Sequence, residues 1–166
     1  MVSPELIRRY PFFAGLDYDY IVKLAKVADE KTVDAGHPFF RESDDLKEVY
    51  LVLEGAVAIV FEVPDQDVEQ EIAGQLTGKL STKDVTVSTV GTEDVFGWSG
   101  LISPHTATAS AKAITPCRVL AFDSDRLLRD FDDDCRFGYL MAQKAAQVIR
   151  ERLRDMRIES LAHLVE

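Results

Sequence analysis

Cysteine, histidine, tryptophan and positive charge are all scarce in this chain of 166 residues. Its two cysteines, Cys117 and Cys135, do not form the framework of a secreted disulfide protein, and they read as reduced thiols that pack in a cytoplasm. Histidine occurs only as His37, His105 and His163, with no His-x-His pair, so no ligand cluster for a catalytic metal is evident. Lys and Arg number 19 against 29 Asp and Glu, a formal net charge of -10. Duplex DNA is held by neutralising its phosphates, so direct DNA binding by so acidic a chain is not expected. No apolar run is long enough to span a bilayer, and MVSPELIRRY lacks the core of a signal peptide. A soluble, cytoplasmic protein is expected.

What is present is an ordinary globular composition, 46% hydrophobic and 29% charged, at the length of one domain. Ser3-Pro4-Glu5 predicts a helix start, and Asp17 is expected to cap a second helix carrying Ile21, Leu24, Ala25 and Ala28. From Lys31 to about Phe122 the pattern turns to strands: Phe39–Arg41, Glu48–Leu53, Ala56–Val63, Val85–Val90, Thr106–Ile114 and Arg118–Phe122. Glu54-Gly55 predicts a tight hairpin between the second and third of these. Many short strands with regular turns imply a sandwich or barrel. Residues 64–84 are long for a strand connection. Val68, Ile72 and Leu76 there fit a short amphipathic helix, so the segment is either a solvated insertion or a flap that meets a partner.

After Phe122 the chain is expected to be helical, with Ser124 capping a short helix to Asp130 and Asp132–Asp134 favouring the start of a second. Phe137, Leu140, Met141, Ala145, Val148, Ile149, Leu153 and Met156 then recur at intervals of three and four. A continuous helix from Asp134 to Glu166 would span about 50 Å at 1.5 Å per residue. That exceeds what one small barrel covers. A homodimer through Met141, Ala145, Val148, Ile149, Leu153 and Met156 is therefore expected. In RERLRDMR, residues 150–157, Glu151 and Asp155 interrupt four arginines, so the run reads as a solvated helix face rather than a nucleic-acid patch.

Five groups of residues, in order, carry a family resemblance. They are Pro11-Phe12-Phe13-Ala14-Gly15-Leu16, Ala35-Gly36-His37-Pro38-Phe39-Phe40-Arg41-Glu42, Tyr50-Leu51-Val52-Leu53-Glu54-Gly55, Val95-Phe96-Gly97 and the Thr106–Ala113 strand after Pro104. With the closing helices, they make residues 5 to 160 resemble the cyclic nucleotide-binding domain of the catabolite-activator and fumarate–nitrate-regulator type. The resemblance implies a mainly β fold with flanking helices: an eight-stranded jelly roll (double-stranded β-helix) with N-terminal helices and a long C-terminal helix. It divides the chain into helices at 1–30, the roll at 31–123 with a phosphate cassette at 96–109, and hinge and dimerisation helices at 124–166.

In that family a short helix after the Phe-Gly pair points its N–H groups at a cyclic phosphate. A glutamate follows the glycine and takes the ribose hydroxyl, and an arginine follows the proline and pairs with the phosphate. Here Trp98 stands at the glutamate position and His105 at the arginine position. The resemblance implies a cassette of Phe96, Gly97, Trp98, Ser99, Gly100, Leu101, His105, Thr106 and Ala107, with Thr106 and Thr108 as hydroxyl donors. A hydrogen bond to a charged group contributes about 1.5–3 kcal/mol, so losing two weakens binding by roughly 10²–10⁴-fold. Trp98 either fills the sugar subpocket and packs under the cassette, or offers a stacking face to a different ligand. His105 is either an exposed or locally bonded loop histidine or, when protonated, a weak anion partner or a pH-sensitive switch.

The function expected is a regulatory, non-enzymatic ligand-sensing module of signal transduction. Its ligand would be a weakly bound cyclic nucleotide (cAMP or cGMP) or another small molecule. The alternatives are a structural dimerisation or adaptor subunit with a plugged pocket, or the sensor domain of a transcription regulator without its DNA-binding part. The family's helix-turn-helix follows the last roll helix, and none is expected before Glu166. No nucleophile-elbow pattern points to catalysis.

Overall fold

A computed structural model describes residues 2–64 and 82–163. The helix proposed around Val68, Ile72 and Leu76 lies outside the described residues. Two helices open the chain, α1 (Pro4–Arg8) and α2 (Tyr18–Lys26), separated by a 3-10 turn at Pro11–Phe13. Eight strands follow: β1 (Ala28–Val33), β2 (Pro38–Phe40), β3 (Glu48–Glu54), β4 (Val57–Pro64), β5 (Thr82–Val90), β6 (Val95–Phe96), β7 (Ser110–Ala113) and β8 (Cys117–Asp123). The chain closes with α3 (Ser124–Asp133) and α4 (Cys135–His163).

The strands form two antiparallel four-stranded sheets, in the orders β1-β8-β3-β6 and β2-β7-β4-β5, which make the expected jelly roll. Alternation along β3 shows how one strand serves two cores. Tyr50 and Val52 enter the roll with Val57, Val90, Phe96 and Val119. Val49, Leu51 and Leu53 face outward and meet Ile7, Phe13, Ile21, Leu24, Leu127 and Phe137 from the helices. The helices thus share a core with the outer face of that sheet.

Several local expectations need correction. The Glu54-Gly55 turn is not a hairpin within a sheet, because β3 and β4 belong to opposite sheets. Gly55, at φ 97°, turns the chain from one layer into the other. The hairpin partner of β4 is β5, paired from Val57↔Val90 to Pro64↔Thr82. The strand expected from Thr106 is ordered as a ladder only over Ser110–Ala113, since Thr106 faces the irregular 43–46 segment through one isolated bridge to Asp45. Strand pairing starts earlier than Lys31, at Ala28 opposite Phe122. Asp123, not Ser124, caps α3: its carboxylate accepts the Arg126 N–H at 2.9 Å, and the helix runs on to Asp133. Asp134 caps α4, accepting from Phe137 N–H, while its other oxygen meets Lys23 on α2.

Two residues expected in a dimer seam serve the monomer instead. Met141 is buried in the core that joins the helices to the roll, and Ala145 is buried beside it, lining the same small cavity as Phe13, Leu24 and Val49. They sit one and two turns after Phe137, on the face of α4 that packs inward. Past Ile149 the helix leaves that core, and Leu153, Met156, Ile158 and Leu161 are exposed.

Candidate functional site

The cassette begins where β6 ends. Phe96 pairs with Tyr50 on β3 and stacks on its ring at 4.9 Å inside the roll, fully buried. Gly97 then takes a left-handed conformation, φ 75°, and starts a 3-10 turn at Trp98–Leu101. A Cβ at Gly97 would lie 3.1 Å from the Glu48 carbonyl and 3.3 Å from the Tyr50 ring, so both the conformation and the space select glycine. Beneath it, the Tyr50 hydroxyl donates to Glu48 at 2.8 Å. Burial first, and then the Glu48 carboxylate, push the Tyr50 phenol above its ordinary value.

Gly100 N–H closes the turn on Gly97 O at 3.0 Å, and Gly100 itself is buried against Leu46 and Ser124. Leu101 packs on the helical core. The chain returns through His105, whose φ of 65° is left-handed, into the bridge between Thr106 and Asp45. Ala107 exchanges backbone hydrogen bonds with the 43–44 segment and is buried. Backbone hydrogen bonds thus tie both ends of the loop, at Gly97–Gly100 and at the 43–46 segment.

His105 Nδ1 lies 3.0 Å from Gly100 O. A carbonyl oxygen only accepts, so Nδ1 carries the proton and donates. The ring is thereby engaged with the cassette backbone. Trp98 is half-buried. With Gly97, Ser99, Ala107 and Thr108 it lines a cavity of only about 40 Å³, whereas small-molecule sites span about 300–1,000 Å³. Phe96, Gly100, Leu101, His105 and Thr106 do not line that space.

Trp98 also borders an adjoining groove of about 380 Å³ between β4, β5 and α4, which shares Ile59, Thr108, Ala109 and Arg152 with the cavity. Here sequence reasoning missed a residue. Arg152, assigned with its neighbours to a solvated face, is half-buried and donates through Nη2 to the Val95 carbonyl at 2.7 Å. It lines both the cassette cavity and the groove. Burial draws its guanidinium below the ordinary arginine value, and the nearby Asp94 charge opposes that shift. The signal was in the spacing: Ile149, Arg152, Leu153 and Met156 fall at i, i+3, i+4 and i+7, one helical face. Arg150, Arg154 and Arg157 are exposed, as expected. A second cation of α4, Lys144, donates to the Ala14 carbonyl at 2.8 Å.

Among the described residues, no three His, Cys, Asp or Glu side chains are placed to hold a metal ion. None of the described helices is long and apolar enough to cross a membrane.

The model of the cyclic nucleotide-binding domain matches residues 30–134. The chain is 25% identical over 123 residues to a CRP-like cAMP-activated global transcriptional regulator of Mycobacterium tuberculosis, covering 74% of this chain and 48% of that one. It thus spans about half the length of that relative. Among solved structures, a Geobacter metallireducens protein described as cyclic nucleotide-binding superposes with TM-score 0.74 at 28% identity, over 92% of this chain and 99% of that one. The catabolite activator protein of Thermus thermophilus superposes with TM-score 0.63 at 22% identity, over 93% and 63%, and so shares the fold.

Proposed function

This chain belongs to the cyclic nucleotide-binding domain family, and we propose that it is a regulatory, non-enzymatic ligand-sensing module whose response to cyclic nucleotides is weakened or altered. One observation carries this reading. The cassette backbone keeps its form at Gly97 and the following turn, while its two chemical positions hold Trp98 and a His105 engaged on Gly100 O. The cassette cavity alone holds only about 40 Å³, so a nucleotide would have to extend into the adjoining groove of about 380 Å³ or displace the indole. A ligand that did move it would bias α4 as well, because Trp98 and α4 border the same groove. A homodimer through the exposed end of α4 is part of the proposal.

Calorimetric titration with cAMP and cGMP tests it. The native protein should show no binding tighter than about 100 µM, given the roughly 10²–10⁴-fold loss that two missing charge-assisted contacts cause. The double variant Trp98→Glu, His105→Arg should gain affinity by at least tenfold, read by heat because the variant has lost its only tryptophan. Micromolar binding by the native protein would show that the cassette chemistry has been misread. The plugged-pocket alternative, favoured by the small cavity, predicts that the native protein stays silent with every small ligand.

A further inference from the structure

We infer that Lys31, acting through Glu48 and Tyr50, is the positioning residue that fixes the floor on which the cassette turn rests. The inference builds on reading that turn as the ligand-sensing element, and it adds a residue from the first strand of the roll.

Two charges stand where the strand pattern calls for apolar side chains. Glu48 precedes Tyr50 and Val52 on the inward face of β3, and Lys31 lies opposite Val119, a roll-facing residue of β8. Lys31 Nζ donates to both oxygens of Glu48, at 2.5 and 2.7 Å. The second of these oxygens also accepts the Tyr50 hydroxyl at 2.8 Å. This series crosses β8, the strand between β1 and β3, where the small Ala121 is the residue opposite Tyr50. It begins at a Lys31 side chain that is 42% exposed and ends at a buried ring.

Tyr50 is the middle ring of three beneath the turn. Its centroid lies 4.9 Å from Phe96 and 6.3 Å from Phe40, stacked on both. The Tyr50 and Phe40 rings, with the Glu48 carbonyl, are what a Cβ at Gly97 would meet, at 3.1 to 3.4 Å. Stacking brings rings face to face but leaves them free to slide, whereas a hydrogen bond has direction. The bond from the hydroxyl to a charged acceptor removes that freedom. Among the described residues, Lys31 is the one cation bonded to this carboxylate. An inward lysine on an edge strand can also serve only to guard the edge, and β1 is the last strand of its sheet. Edge protection would require neither Glu48 nor the Tyr50 hydroxyl. A comparison is at hand in Arg118, which ties β8 to Glu30 of β1 at 2.9 Å and whose other ion-pair partner is Glu54, not a cassette residue.

The test follows amide hydrogen exchange by NMR in the protein without ligand, with urea midpoints measured alongside. Gly100 N–H, bonded to Gly97 O, reports local opening of the turn. Lys31→Met should speed its exchange by about 3–10-fold, the scale of a partly exposed bidentate pair. Lys31→Arg keeps the charge and the donors and should return the rate to within about twofold of native. Arg118→Met removes a β1–β8 ion pair and should leave Gly100 within about twofold. Tyr50→Phe should itself speed Gly100. Adding Lys31→Met to Tyr50→Phe should change the rate by less than about twofold, because the path through the hydroxyl is already cut.

A Gly100 rate that only follows the urea midpoint across these variants would overturn the inference, since it marks a structural role. So would an equal effect of Lys31→Met with and without the Tyr50 hydroxyl, or an Arg variant no slower than Lys31→Met. Titration with cAMP keeps the two levels apart. In the Trp98→Glu, His105→Arg background, Lys31→Met should weaken cAMP by about 3–10-fold. If that background binds nothing while the exchange pattern holds, the sensory reading fails and the floor stands. If it binds equally well with and without Lys31, the sensory reading stands and the inference fails.

Discussion

Gly55 shows how much a single residue can carry in a two-layered roll. It turns the chain from β3 into the opposite sheet at φ 97°, and a Cβ there would lie 2.5 Å from the Pro116 carbonyl and 2.8 Å from Cys117 Sγ. Gly55→Ala combines a strained backbone, about 1–2 kcal/mol, with overpacking against backbone, about 1–3 kcal/mol. A loss of about 3 kcal/mol is expected, read as a lower urea midpoint with unchanged slope. A loss under about 1 kcal/mol would mean that the 115–117 segment yields freely. At this scale the sequence was legible in part. Glycine and its neighbours announced a bend, but a turn signal does not say which sheet the next strand joins. The cassette was legible for the same reason, since Phe96-Gly97 marks a conformation. The direction of His105 was not, because its partner is a carbonyl that every residue possesses.

At the scale of elements, α4 is positioned by the core it shares with the other helices and by its first turn. Asp134 caps the helix through Phe137 N–H and reaches α2 through Lys23 and Tyr20. These contacts, the Phe137 hydrogen bond foremost, hold its carboxyl below the ordinary aspartate value. As pH falls, the unfolded chain therefore takes up this proton before the folded chain does. The contribution is complete above roughly pH 4, where an unfolded aspartate titrates, and is lost as pH falls through the lower folded value. Urea midpoints for native protein and Asp134→Ala should differ at neutral pH and converge on acidification. A gap that widened instead would refute the assignment. Periodicity disclosed the helix correctly but not the division of its face. Met141 and Ala145 match Leu153 and Met156 in pattern, yet the first two are buried against the rest of the molecule and the second two border the groove. Arg152 escaped notice because a long side chain can lay its stem among Leu and Ile while its charge finds a backbone oxygen. In one dimension such a residue is indistinguishable from its solvated neighbours.

For the molecule as a whole, about 43 Å of α4 follows from 29 residues at 1.5 Å each, more than its inner core occupies. Its last turns leave Ile158 at 53% and Leu161 at 61% exposure. These lie about 120–180° around the helix from Ile149, away from the groove. Sedimentation equilibrium should find a dimer at micromolar concentration. Ile158→Asp with Leu161→Asp should raise its dissociation constant by at least about 100-fold, while a native monomer would remove this part of the proposal. The helix is also tied to the rest of the molecule by Lys144 on Ala14 O and Arg152 on Val95 O. Each tie ends on an oxygen that belongs to the peptide bond and not to any particular amino acid. Copying errors at position 14 or 95 replace a residue without deleting its acceptor, whereas errors at 144 or 152 delete the donor. The attachment is therefore heritable through two codons instead of four. Both lie in the helix, so α4 could be carried onto a related roll with its fastenings already attached.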